Sequence, residues 1–291
     1  MNLSTSSPAA AQQKAEKLKK QLTNHNKIPT KFQRKSQFKV PSKGSGGVPE
    51  PTPAYLLRAS FLARTVPEPR PILVVIDLNG TILFRPRRDE PSVFIERPHA
   101  RQFLEYCTST FHVVIWSSAQ PANVRAMYKQ LFSEDQEKNA VIAVWARDKF
   151  GLTKEDYKER TMCYKRLTRL WKDKNIQAAR PLPNEVWDQG NTVLIDDTVE
   201  KARSEPFNAI TVPEFKGDIN EQPDVLPLVH DYLNTLAHQA DISTYIRTSP
   251  FKITADGGDG GGASVANAMA DVPITTGTAA ASELIDLTAD N

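Results

Sequence analysis

Three polar clusters stand directly after apolar runs in this chain of 291 residues. Ile72-Leu73-Val74-Val75-Ile76 ends in Asp77-Leu78-Asn79-Gly80-Thr81, Val113-Val114-Ile115-Trp116 ends in Ser117-Ser118, and Val193-Leu194-Ile195 ends in Asp196-Asp197-Thr198. Lys165 lies ahead of the last of these runs. Carboxylates supply hard oxygens for a divalent cation such as Mg2+. A hydroxyl and an ammonium suit the oxygens of a phosphoryl group. Plainer roles exist for each residue taken singly. Asp77 can form a turn, Ser117-Ser118 can cap a following helix, and Lys165 can be a solvated helix residue. Asp196-Asp197 is harder to explain plainly, because adjacent carboxylates repel unless a cation lies between them.

The apolar runs that precede these residues carry no polar alternation, and two more follow the pattern, Val141-Ile142-Ala143-Val144-Trp145 and Ala209-Ile210-Thr211-Val212. Such runs read as strands covered on both faces of a parallel sheet. Amphipathic segments between them predict helices over 99–107, 121–132, 154–172 and 224–240, with Lys165 on the third. Strand–helix alternation over about 175 residues predicts a doubly wound α/β domain. In such sheets ligands bind beyond the carboxyl ends of the strands, where the polar clusters stand.

Asp77-Leu78-Asn79-Gly80-Thr81 resembles motif I of the haloacid dehalogenase superfamily, usually Asp-x-Asp-x-Thr. The chain is more closely similar to that superfamily's FCP1-homology (NIF-type) branch of protein Ser/Thr phosphatases. Glu96-Arg97-Pro98 ahead of a helix, residues 113–119 (VVIWSSA), 163–168 (CYKRLT) and 193–204 (VLIDDTVEKARS) carry the likeness across roughly 70–240. The resemblance implies a haloacid-dehalogenase-like fold and an Mg2+-dependent phosphatase working through an aspartyl-phosphate on Asp77. Ser117 and Lys165 then hold the phosphoryl oxygens, and Thr81 orients the nucleophile loop. Asp196 and Asp197 position the metal with Asp77 and the backbone carbonyl of Asn79. Asn79 departs from the pattern, standing where the family has the acid that protonates the leaving alkoxide and activates water. Loss of that group costs about 10²–10⁴ in rate. The alternative is a degenerate member that binds a protein partner without turnover, as Tim50-like preprotein-binding members do. Short gaps between motifs leave no room for a large cap domain, which favours a phosphoprotein substrate over a small metabolite.

A net charge of +3 conceals an asymmetry. Residues 1–50 hold ten Lys and Arg against two acids, whereas 256–291 hold six acids and no Lys or Arg. This partition predicts a disordered basic arm over 1–67, a folded domain over 68–247 and a flexible acidic tail over 248–291. The tail's Ser282-Glu283-Leu284-Ile285-Asp286-Leu287 is similar to a SUMO-interacting motif, in which Leu284, Ile285, Asp286 and Leu287 would add a strand to a partner's sheet edge. Specific nucleic-acid recognition is not supported, because the basic arm has few interleaved aromatics. No apolar stretch approaches the ~18 residues of a transmembrane segment. Two lone cysteines, Cys107 and Cys163, point to a reducing compartment. That favours nucleus or cytoplasm, with a mitochondrial location as the alternative.

Overall fold

The computed structural model describes residues 38–87, 90–132, 141–181 and 184–253. β1 (Leu73–Ile76) is the central strand, and a small antiparallel hairpin, β2 (Leu83–Phe84) and β3 (Ile95–Glu96), follows it. β4 (His112–Trp116), β5 (Val141–Trp145), β6 (Thr192–Asp196) and β7 (Ala209–Thr211) join β1 in a parallel sheet of order β5-β4-β1-β6-β7. The helices are α1 (Pro53–Ala59), α2 (Ala100–Thr110), α3 (Pro121–Leu131), α4 (Lys154–Lys158), α5 (Leu167–Trp171), α6 (Lys174–Ala178), α7 (Val225–Ala237) and α8 (Ile242–Thr248).

The period of two along each strand divides the core into two layers. Val74, Ile76, Val113, Ile115, Val193 and Ile195 face Phe103, Val124 and Leu233 of α2, α3 and α7. Leu73, Val75, Val114, Trp116 and Leu194 face Leu167, Leu170 and Ile176 of α5 and α6, together with Trp187. All these strand residues are fully enclosed, which is why the runs need no polar alternation. The doubly wound parallel α/β sheet expected from the sequence is present. No large cap lies between β1 and α2 among the described residues, only the hairpin. None of these residues forms a helix long and apolar enough to cross a membrane.

Two expectations are corrected. The helix expected over 154–172 is two short helices, α4 and α5, joined by a non-helical stretch that carries Lys165. Within it, Thr161 is fully buried and pairs with Lys39 in a parallel bridge. Lys39 N–H donates to the Arg160 carbonyl and Met162 N–H donates to the Lys39 carbonyl, both at 2.9 Å. A helix through this stretch would have to give up these bonds.

The other correction concerns the boundary drawn at 67/68, since residues 38–67 are ordered. Over 41–53 the stretch is rich in Pro, Ser and Gly and is fastened by polar groups, whereas α1 beyond it buries Tyr55 and Ala59 and leaves Leu56 and Leu57 exposed. Asp156 of α4 accepts from the Ser42 N–H and hydroxyl (2.8 and 2.6 Å) and from the Ser45 hydroxyl (2.5 Å). α1 starts at a Thr52 cap followed by Pro53. Its Tyr55 hydroxyl donates to Asn208 Oδ1 at 2.9 Å and accepts from Phe207 N–H at 2.8 Å. At the other end, Phe251 and Ile253 pack on the core beyond the boundary drawn at 247/248. Residues 1–37 of the basic arm and the motif at Leu284, Ile285, Asp286 and Leu287 lie outside the described residues.

Bonds from Ser42 and Ser45 outweigh burial and, with Lys39 nearby, hold the Asp156 carboxyl well below the usual carboxylate range. A depressed folded-state pKa adds stability above the unfolded value and loses it as pH falls through the folded one. Asp156→Asn should therefore lower the denaturant midpoint at neutral pH, with the gap to wild type closing below about pH 4. Urea unfolding at the two pH values measures this; a gap that does not depend on pH contradicts it.

Candidate active site at the carboxyl edge of the sheet

The chain leaves β1 at Asp77, whose N–H still donates to the Ile195 carbonyl of β6 at 3.0 Å. It then turns sharply, with Ile82 N–H returning to the Leu78 carbonyl at 2.8 Å and Gly80 N–H donating to the Leu83 carbonyl at 2.8 Å. Gly80 has φ +93°, and a Cβ there would lie 2.7 Å from Asp197 Oδ2. Both its backbone conformation and the approach of the carboxylate require glycine. Arg97 braces the loop from beneath, fully buried. Its guanidinium donates to the Thr81 carbonyl at 2.9 Å and grips Glu221 with two bonds of 2.6 Å.

Asp77, Asp196 and Asp197 meet here, with one oxygen of each within 4.8 Å of the others. Two ammonium groups lie among them. Lys165, fully enclosed, donates to Asp196 Oδ2 at 2.6 Å and lies 2.9 Å from Asp77 Oδ1, an ion pair without hydrogen-bond alignment. Lys201 donates to Asp77 Oδ2 (3.0 Å), Asp196 Oδ1 (2.9 Å) and Asp197 Oδ1 (3.1 Å). Lys165 N–H also donates to the Lys201 carbonyl at 2.7 Å, so the two lysines are tied together through the backbone.

The electrostatics follow from this crowding. Burial pushes the Asp197 carboxyl up, opposed by Lys201 and reinforced by Asp77 and Asp196, to about 6. Burial pushes Asp196 the same way, but Lys165 and Lys201 together overcome it and bring its carboxyl below the ordinary value. For Lys201 burial favours loss of the proton, yet Asp77, Asp196 and Asp197 hold its ammonium well above the usual range.

The structure thus brings Asp77, Lys165, Asp196 and Asp197 into one cluster. Ser117 ends β4 in the neighbouring position, buried, its N–H donating to the Trp145 carbonyl of β5 at 2.9 Å. It does not cap α3, whose cap is Gln120 without a side-chain bond. Thr81 is enclosed, and its hydroxyl has no partner; the contact that fixes its place is its carbonyl on Arg97. Asn79 is exposed, and its Oδ1 accepts from the Arg85 N–H of the hairpin at 2.9 Å.

No site role is assigned to Lys201 or to the bracing Arg97 from the sequence, although both stand in stretches that carry the family likeness. Lys201 stands four residues after Asp197 on the one-turn helix Val199–Ala202, a spacing that signals a cation folding back on the acid pair. Arg97, between Glu96 and Pro98, gives no comparable signal, because its partner Glu221 is distant in sequence.

Residues 72–243 match the family model of NLI interacting factor-like phosphatases. The chain is 37% identical over 220 residues to an uncharacterized FCP1 homology domain-containing protein of Schizosaccharomyces pombe, covering 72% of this chain and 88% of that protein. Among solved structures it is similar to Fcp1, an essential RNA polymerase II CTD phosphatase, at 18% identity and a TM-score of 0.36. That alignment covers 57% of this chain and 48% of the other. Fission yeast RNA polymerase II CTD phosphatase Fcp1, in a variant bound to beryllium fluoride, aligns at 15% identity and a TM-score of 0.33, covering 57% and 50% of the two chains. This chain therefore spans about half the length of these solved relatives.

Removing one partner from a buried ion pair leaves uncompensated charge. Lys165→Met, similar in length but uncharged, should destabilise the fold by about 3–5 kcal/mol, read from the urea midpoint. Asp77→Asn in the same background should recover part of the loss. An unchanged midpoint in Lys165→Met contradicts the account.

Proposed function

The chain belongs to the NLI interacting factor-like phosphatase family, and we propose that it is an Mg2+-dependent phosphoprotein (Ser/Thr) phosphatase with Asp77 as nucleophile. The observation that carries this reading is the placement of Asp77 at the end of the central strand, enclosed and flanked by Lys165 and Asp196. An Asp77 oxygen attacks phosphorus, the ester bond breaks, and the alkoxide departs, taking its proton from solvent water. Water then attacks the phosphorus of the aspartyl-phosphate, releasing inorganic phosphate and restoring Asp77. Lys165 and the Ser117 hydroxyl hold the transferring oxygens and neutralise their charge. Thr81 keeps the nucleophile loop in place.

The donor set fits Mg2+, for it consists of hard oxygens from Asp77, Asp196 and Asp197, to which the Asn79 backbone carbonyl would add one more. When bound, Mg2+ would supply charge neutralisation at the reacting phosphoryl group. The absence of a large cap among the described residues supports a protein segment as substrate rather than a small metabolite. Nucleus or cytoplasm is the compartment this reading favours.

Asn79 sets the rate. Its amide has no proton to give the leaving group and cannot deprotonate water. Aryl phosphates, whose leaving groups need little help, should turn over faster than phosphoserine. The Arg85 N–H bond to Asn79 Oδ1 can be kept by an aspartate, so Asn79→Asp introduces the acid without disturbing the turn. It should raise phosphoserine-peptide turnover by about 10²–10⁴ and p-nitrophenyl phosphate turnover by less. Asp77→Asn should abolish both activities, and omission of Mg2+ should do likewise. A wild type inert on both substrates, with no gain in Asn79→Asp, overturns the phosphatase reading.

The tail carries a separate proposal, SUMO binding through Leu284, Ile285, Asp286 and Leu287. Alanine at Leu284, Ile285 and Leu287 together should abolish binding measured by titration with SUMO, while turnover stays unchanged. SUMO binding that is absent in wild type or retained in the triple variant ends that idea.

A further inference from the structure

Every oxygen of Asp77 and Asp196 already lies within 3.0 Å of a lysine ammonium. Lys165 takes Asp77 Oδ1 and Asp196 Oδ2, and Lys201 takes Asp77 Oδ2, Asp196 Oδ1 and Asp197 Oδ1. An ammonium donates at about 3 Å, whereas Mg2+ binds carboxylate oxygen at about 2.0–2.1 Å. A dication drawn in among the three carboxylates would come up against these ammonium groups and be repelled by one left at the same point, so one of the two lysines has to give way.

The surroundings of the two lysines decide which one yields. Lys165 has no exposed side-chain surface, and its backbone is fixed on the Lys201 carbonyl. Lys201 is 12% exposed, the only one of the pair that touches solvent. Its helix is a single turn, Val199–Ala202, beside the exposed Val199. Lys201 also holds the one carboxylate that Lys165 does not reach, Asp197.

We propose that Lys201 is a built-in occupant of the divalent-cation position, its Nζ bridging Asp77, Asp196 and Asp197 until a metal displaces it towards solvent. This rests on the reading of those three carboxylates as metal ligands. Metal loading is then an exchange of one cation for another, and Lys201 acts as a positioning residue that keeps the three acids together before the metal arrives. Affinity for the metal is reduced by the bonds the ammonium has to surrender.

The test uses the full chain and has no activity readout. Mg2+ is titrated calorimetrically into wild type, Lys201→Gln, Asp77→Asn and Asp197→Asn. Lys201→Gln should bind about 10- to 100-fold more tightly, the range expected for surrendered charge-assisted hydrogen bonds, and should gain a larger Mg2+-dependent rise in Tm. Asp197→Asn should bind more weakly than wild type. Should Lys201→Gln fail to fold, wild type alone gives the answer through lysine footprinting by reductive methylation and mass spectrometry. Lys201 modification should then rise on adding Mg2+ but not on adding KCl at equal ionic strength, with Lys165 protected throughout. Equal Mg2+ affinity in wild type and Lys201→Gln, or footprinting of Lys201 unaltered by bound Mg2+, overturns the exchange and leaves the metal site standing. Binding that survives Asp77→Asn and Asp197→Asn unaltered, or no binding by any variant, overturns the metal site itself.

Discussion

Three carboxylates within 4.8 Å of one another are an unstable arrangement unless positive charge is interleaved, and much of the local structure serves that requirement. Lys165 and Lys201 meet it, each from a short irregular stretch of chain. The first lies on the non-helical stretch joining α4 and α5, the second on a single turn after β6. Their backbones are bonded to each other, so the two counter-charges are set as a unit. Gly80 completes the arrangement by leaving space for Asp197. The charge cluster thus dictates a glycine, a helix break and a tight turn in three separate parts of the chain.

Support for the cluster comes from both layers of the sheet. The enclosed strand ends fix the Cα positions of Asp77 and Asp196 through the parallel register, which pairs Ile76 with Ile195. Arg97 and Glu221 hold the loop after β1 from one side. From the other, Glu205 accepts from the Leu167 N–H at 2.9 Å and so anchors the start of α5 just beyond Lys165. Packing is dense at the sheet and polar at its edge, which suits a site that must place charges rather than enclose a large ligand.

The central strands β1, β4 and β6 were easy to read in the sequence, because their full burial leaves unbroken apolar runs that end at the polar clusters. By contrast, β5 and β7 carry similar runs at the sheet edges and are only partly covered rather than enclosed on both faces. Asp77, Asp196 and Asp197, which the fold brings together, stand at the ends of the central runs, and Ser117 follows the run of β4. Lys165 was found, but on the wrong kind of element. Periodicity over 154–172 looked helical, and the bridge to Lys39 that breaks it joins residues far apart in the chain. The order of residues 38–67 was hidden for a related reason. Composition reports how much apolar surface a segment can bury, and this segment is held by Ser42, Ser45 and Tyr55 donating to buried acceptors. Lys201 was visible as a charge but not as a member of the site, since its role depends on how one turn folds back.

The clasp between residues 42–45 and Asp156 links positions 114 residues apart. The stretch that matches the family, 72–243, is therefore shorter than the stretch whose buried polar groups satisfy one another. A fragment cut to the family match would leave Asp156 without its serines and Asn208 without the Tyr55 hydroxyl. It would also release the strand partner of the segment bearing Lys165. For this chain the evolutionary module and the folding unit have different ends, and the electrostatics of the site belong to the longer one.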